Sequence, residues 1–204
     1  VKERLRKRLT GAVAAVLAMA VWAGPVCAQQ AEPFDAQGYR SARFRAPVDR
    51  DPAPALPITT AQARALHPGR DALFLDVLPA AGARRDPRTG AWTLAEPHET
   101  IAGALWFPET GFSPPEPALW RALDAAVARF ARRHPGRPVV VFCRADCWMS
   151  WNVARRLART LASGRAGREG AAPPVRWFDE GIEGWVEAGG TLVAASPVPV
   201  PDAP

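Results

Sequence analysis

The 204-residue chain is poor in the residues that usually announce chemistry: it has three cysteines and three histidines. It also lacks an apolar run long enough for a comfortable membrane span, since its longest, Leu9 to Ala23, falls short of the ~20 residues a spanning helix needs. His67 and His134 each precede proline in turn-like segments, and His98 lies in a long connection, so histidine clusters with metal-ligand spacing are missing. No internal repeat is visible. No basic stripe interleaved with aromatics remains outside the first 28 residues, so nucleic acid is not an expected partner.

Those first residues read as an export signal. Lys2, Arg4, Arg6, Lys7 and Arg8 form a basic start, the apolar run comes next, and Val26-Cys27-Ala28 places small residues at a cleavage site after Ala28. A segment 1–28 of this kind predicts a periplasmic protein with no stable membrane insertion after cleavage. It carries five basic groups and one acidic group, so the formal charge of +6 falls to about +2 for the remainder. Cys27 belongs to the leader. The mature chain then keeps Cys143 and Cys147, in a compartment where disulfides persist. Two cysteines so close are a local chemical site, not a scaffold of cross-links.

Residues 29–56 are polar and rich in proline and read either as a linker or loosely packed arm, or as an arm that packs across the domain through Phe34, Tyr39 and Phe44. Thr59 or Thr60 can cap a short helix over 61–66. Residues 72–77 form a short apolar run that reads as a buried strand. A long connection, 79–100, precedes a second apolar stretch, Ile101 to Phe107. Pro117 opens a helix with Leu119, Trp120, Leu123, Ala126, Val127 and Phe130 at helical spacing, ending at His134-Pro135-Gly136. Pro138 to Phe142 is the clearest strand and runs straight into Cys143. A helix is expected from about Met149 to Leu161, a flexible loop over 164–174, a strand over 175–178 and a short helix over 182–188. Residues 194–204, again proline-rich, read as a disordered tail. The alternation of strands and helices predicts an α/β domain over 57–193, with a central, mostly parallel sheet flanked by helices on both faces.

A cysteine at the carboxyl end of a buried parallel strand occupies the usual ligand position of open α/β sheets. The loop leads into a helix N-terminus, whose unpaired N–H groups favour a thiolate. Arg144 adds to that effect and Asp146 opposes it. Asp76 ends a strand on the same edge, where capping the next segment is its expected role. The cysteine pair admits three readings: an exchange or persulfide site, a structural disulfide, or a pair of ligands. Two sulfurs fall short of a closed zinc site, and Trp148 stands where haem attachment requires histidine.

Four stretches in order resemble the rhodanese (sulfurtransferase) domain. They are Leu75-Asp76-Val77, the segment Thr100 to Pro108 with Thr100 where the family has histidine, the Cys143 loop, and Asp179 to Trp185. Cys143-Arg144-Ala145-Asp146-Cys147-Trp148 further resembles the exported PQQ-dependent catabolism-associated CXXCW motif family, although three residues separate the cysteines here. The resemblance implies a small rhodanese-like domain acting in thiol redox or sulfur transfer. Cys143 would be the nucleophile, carrying a persulfide in the sulfur-transfer case, and Cys147 the resolving thiol. Arg144, Ala145, Asp146 and Trp148 would form the substrate-binding loop; of Trp148 and Trp151, which flank the helix start, one is expected in the core and the other, Trp148, at the pocket mouth. A small sulfur or thiol compound is the implied substrate and a periplasmic quinoprotein dehydrogenase system the implied partner. No metal and no resident cofactor are expected. The alternative is a non-catalytic accessory module for such a dehydrogenase or its cofactor. Trp148 and Met149 stand where active sulfurtransferases often carry Arg and Ser. Met149, the sixth residue after Cys143, excludes Cys-x5-Arg phosphatase chemistry.

Overall fold

The computed structural model describes residues 33–164 and 172–202. The expected export signal, part of the arm and most of the 164–174 loop lie outside these residues. The chain runs β1 (Leu56–Pro57), α1 (Thr60–Arg64), β2 (Leu73–Asp76), β3 (Arg84–Arg85), β4 (Trp92–Thr93), β5 (His98–Ile101) and β6 (Leu105–Trp106). It continues with α2 (Pro117–Arg133), β7 (Val139–Phe142), α3 (Trp148–Ala162), β8 (Val175–Phe178), α4 (Gly181–Glu187) and β9 (Leu192–Ala195).

Five strands form one parallel sheet in the order β1-β8-β7-β2-β6. The central strands β2 and β7 are buried at every position, which is why they read as apolar runs, interrupted only by Asp76 at the end of β2. Side-chain alternation divides the core into two layers. Leu73, Leu75, Val139, Val141, Val175 and Trp177 pack with α2 and α3. Phe74, Val140, Phe142 and Phe178 pack on the other face with Ala63 of α1 and Trp185 of α4. The architecture is therefore α/β, with a parallel five-stranded sheet and helices on both faces.

The helix boundaries reflect local chemistry. Thr59 caps α1 through a reciprocal pair of bonds with Gln62. Pro117 occupies the first turn of α2, where a missing N–H costs nothing. That helix buries Leu119, Leu123, Ala126, Val127 and Phe130 along one stripe.

Three regions differ from the sequence expectation. The stretch 101–107 is not one strand. Gly103, at φ +84°, turns the chain between β5 and β6. Only β6 joins the main sheet, while β5 pairs antiparallel with β9. The long connection 79–100 contains a hairpin, β3 with β4, closed by a turn in which Asp86 Oδ1 accepts from Arg88 and Thr89 N–H at 2.8 and 3.2 Å.

The third difference is the C-terminal segment, expected as a disordered tail over 194–204. It begins in β9 and bridges Trp106 through Pro197. Val200 is then buried against Ala118 and Leu119, and Arg85 pairs with Glu116 and Asp202. Proline holds this backbone extended, so the alternating Val198 and Val200 can both turn onto α2. A proline-rich composition resembles disorder until such an alternation finds a surface to bury against.

Candidate functional site

The arm preceding β1 packs onto α3. Phe34 meets Trp148 and Trp151 edge to face, with ring centroids 5.3 and 6.4 Å apart, and Tyr39 is buried. Asn152 holds the arm backbone from inside the core. Its Nδ2 donates to the carbonyls of Arg40 and Gly111, both at 2.8 Å, and its Oδ1 accepts from Arg40 N–H at 2.9 Å. Trp151 Nε1 donates to the Arg50 carbonyl at 2.7 Å. Two residues of one helix thus pin the arm at positions 40 and 50.

Between those pins, the arm crosses the cysteine loop. Trp148 N–H, a free first-turn donor of α3, is satisfied by the Phe44 carbonyl at 2.9 Å. Ala46 N–H donates to the Asp146 carbonyl at 3.1 Å, which makes Arg45 and Cys147 an antiparallel bridge pair. Arg45 NH1 also donates to the Ala145 carbonyl at 2.7 Å. The loop's other side is held by the start of α4. Ile182 N–H donates to the Cys143 carbonyl at 2.9 Å, Ala145 N–H to Glu183 Oε2 at 3.0 Å, and Arg144 Nε to Glu183 Oε1 at 3.1 Å. Gly181 makes this approach feasible. It sits at φ +56°, and a Cβ there would run into the Cys143 carbonyl oxygen. Burial alone would raise the Glu183 carboxyl, but the Ala145 N–H, its own backbone N–H and Arg144 outweigh it. They hold the group below the ordinary glutamate range.

Cys143 and Cys147 are joined as a disulfide with their Cα atoms 6.6 Å apart. Cys143 leaves β7, and Cys147 is the N-cap residue of α3. Asp146, at φ +52°, takes the left-handed turn between them, a conformation aspartate tolerates better than most residues. Its side chain is exposed. Cys143 is 0% exposed and Cys147 3%. The Cys143 sulfur lies 3.6 Å from the Arg144 carbonyl oxygen and 3.7 Å from that of Cys147.

Of the residues expected in the loop, Cys143, Arg144, Ala145, Asp146 and Cys147 are therefore together. Trp148 is not at a pocket mouth. It is 2% exposed, under Phe34, Trp151 and the Arg40 guanidinium, the last 4.7 Å from its ring centroid. The physical reason is its place in the first turn of α3, on the side the arm covers. Sequence reasoning did not single out Arg45, Ala46 or Glu183. The arm's only signal was three aromatics, Phe34, Tyr39 and Phe44, spaced between prolines. Glu183 had none, because its partners are 38 and 39 residues away.

A second polar centre stands one strand away. Asp76 is fully buried at the end of β2. Its Oδ2 accepts from His98 Nε2 at 2.7 Å and Thr100 Oγ1 at 2.6 Å, and its Oδ1 accepts from Leu78 N–H at 2.9 Å. The last bond is the capping role expected of it. His98 and Thr100, two apart on β5, point to one side of the strand. His98 also lines a cavity of about 160 Å³ with Leu78, Pro79, Leu94, Pro97 and Trp106. Among the described residues, no group of three or more metal-ligating side chains is assembled, and no helix is long and apolar enough to cross a membrane.

No family model matches the sequence, and no curated protein matches it. The structure is similar to the crystal structure of a thiosulfate sulfurtransferase from Pseudomonas aeruginosa, with 20% sequence identity and a TM-score of 0.37 over 72% of this chain. The match spans about a fifth of that protein's length (21%).

Proposed function

We propose that this protein is a rhodanese-like thiol–disulfide exchange protein working through Cys143 and Cys147. The observation that carries the reading is the pair itself: two sulfurs bonded across a short loop, one of them at the N-cap of a fifteen-residue helix. The gathering of Asp76, the 100–108 segment, the cysteine loop and the 179–185 segment around one edge of the sheet supports the rhodanese-like half of the reading.

The environment distinguishes the two sulfurs. A thiolate at Cys147 is next to the first-turn N–H groups of α3, which stabilise negative charge. A thiol at Cys143 has two carbonyl oxygens to donate to. The exchanging sulfur is then Cys147 and the internal partner Cys143, the reverse of the roles expected from the sequence. In the exchange, an incoming thiolate bonds to the Cys147 sulfur, the bond to Cys143 breaks, and Cys143 leaves as the thiolate. A second thiol of the same substrate then attacks the mixed disulfide. The substrate leaves oxidised and the protein keeps two thiols. Sulfur transfer uses the same pair in its reduced form: the Cys143 thiolate takes the sulfane sulfur of a donor such as thiosulfate, with sulfite leaving, and attack of the Cys147 thiolate on the inner sulfur of that persulfide releases hydrosulfide and regenerates the disulfide. Export to the periplasm and service to a quinoprotein dehydrogenase system belong to this proposal, through the resemblance of the loop to the CXXCW motif family.

The test is trapping with oxidised glutathione. Cys143→Ser, which leaves Cys147 without an internal partner, is expected to accumulate a mixed disulfide at Cys147, read by intact-mass spectrometry. Cys147→Ser is expected to accumulate at least tenfold less. Failure of both variants to form an adduct, in folded protein, would overturn the reading. A second reading, a non-catalytic accessory module, draws on the burial of both cysteines. It predicts partner capture that survives Cys147→Ser.

A further inference from the structure

The segment Phe44–Ala46 lies on the cysteine loop as a peptide would. It is paired antiparallel and bonded through main-chain groups on both sides of Arg45: Trp148 N–H to the Phe44 carbonyl, and Ala46 N–H to the Asp146 carbonyl. Pairing of that kind reads backbone and is indifferent to most side chains, as in strand addition. The two bonds flank the pair Arg45 and Cys147 and do not join it. In an antiparallel ladder, residues so placed form the close, non-hydrogen-bonded type of pair. Their side chains project to the same side, with Cβ atoms roughly 4.5–5.5 Å apart. Arg45 is exposed, whereas Cys147 beneath it is 3% exposed. The strap is pinned at Arg40 by Asn152 and at Arg50 by Trp151. Among the described residues, three hydrogen bonds hold its middle to the loop.

We propose that Phe44–Ala46 occupies the docking groove of an extended, cysteine-bearing polypeptide, which displaces the strap's middle and sets its own cysteine opposite Cys147. This rests on the thiol-exchange reading and names its substrate class: a protein or peptide thiol in extended conformation. The thiolate at the position of Arg45 attacks the Cys147 sulfur, a new disulfide forms between chains, and Cys143 leaves as the thiolate. The protein's own disulfide is the oxidant, so the step balances without a further reactant.

The wild-type protein is treated with two synthetic peptides of the strap's composition. Ala-Arg-Phe-Cys-Ala-Pro-Val places its thiol in register with Cys147; Ala-Arg-Phe-Arg-Cys-Pro-Val places it one residue out, on the opposite side of the strand. Mixed disulfide at Cys147, located by non-reducing peptide mapping, is expected to form at least tenfold faster with the first. Equal rates, or attachment to Cys143, would overturn the proposal. The same register is read within the chain by Arg45→Cys and Ala46→Cys, each in a Cys143→Ser background in a glutathione buffer. The thiol introduced at 45 is expected to bridge Cys147 with at least ten times the effective concentration of the one at 46; equal values overturn the register. Dithiothreitol separates the two levels of inference. A wild-type disulfide that resists it under native conditions sinks the exchange reading, whereas one that yields to it while the two peptides react alike sinks only the docking mode.

Discussion

Strands β2 and β7 are neighbours in register, with Asp76 beside Phe142, yet the loops that leave their carboxyl ends are built differently. After β2, one buried carboxylate collects three donors, and the imidazole it holds lines a cavity. After β7, the polar groups are mainly the backbone of a five-residue loop, satisfied on one side by the arm and on the other by the start of α4. The first centre is held by side chains that belong to the sheet and its immediate neighbours. The second is held by segments far away in sequence, the arm and the start of α4. Burial of a group is common to both, so burial alone does not mark function. In the proposed exchange, a displaceable cover over the cysteine loop would mark it.

The difference predicts a ranking of consequences. Asp76→Ala strands the donors of His98, Thr100 and Leu78 in a buried site. With about 1–3 kcal/mol for each unsatisfied buried group, a loss of about 3–5 kcal/mol is expected in urea denaturation. The native-state rate of disulfide reduction should change little if the protein still folds. A small loss would show that the β2 centre is not structural, and the contrast with the β7 loop would collapse.

Asn152→Ala tests the cover. It removes the partners of the Arg40 N–H and of the Arg40 and Gly111 carbonyls. A loss of about 2–4 kcal/mol is expected on the same reasoning. Unlike the Asp76 change, it should also hasten both proteolysis within 41–49 and reduction of Cys143–Cys147. Unchanged reduction with faster proteolysis would mean that the strap does not limit access to the sulfurs. Gly181→Ala acts on the opposite side of the loop. Its Cβ meets the Cys143 carbonyl at a φ that disfavours side chains. About 1–3 kcal/mol of strain is expected, with an altered reduction rate and no effect on proteolysis of the arm.

How much of this was legible in the sequence depends on the range over which each feature is determined. β2, β7, β8, α2 and α3 are local: an apolar run or a 3.6-residue period suffices, and Pro117 marks a start by its own covalent geometry. The hairpin at Arg84 and Trp92 is too short for any period to show. β9 and Val200 are visible only once β5 and α2 supply a surface. At the edge of the sheet, Cys143 and Asp76 were readable because strand ends locate them. His98 and Thr100, two residues apart on the same side of β5, both reach Asp76, a convergence that no local pattern signals. Arg45 over Cys147 and Glu183 under Ala145 are contacts across about a hundred and about forty residues. Single-sequence patterning holds no trace of such pairs.

The smallest effect expected is at Glu183, and its pH dependence gives it away. The Glu183 carboxyl is held below its ordinary value, so its contribution to stability is fully present above the unfolded glutamate pKa of about 4.3. It is lost as pH falls through the lower, folded value. Its side chain is 40% exposed, and solvent screening limits the contribution to a few tenths of a kcal/mol, about the median for such pairs. Glu183→Gln keeps an acceptor for the Ala145 N–H but removes the titration. The variant should match the wild type near pH 3 and fall slightly below it at pH 7, in urea midpoints measured across that range. A difference that stayed constant with pH would locate the effect in packing, and the loop would then owe its shape to the strap and Gly181 alone.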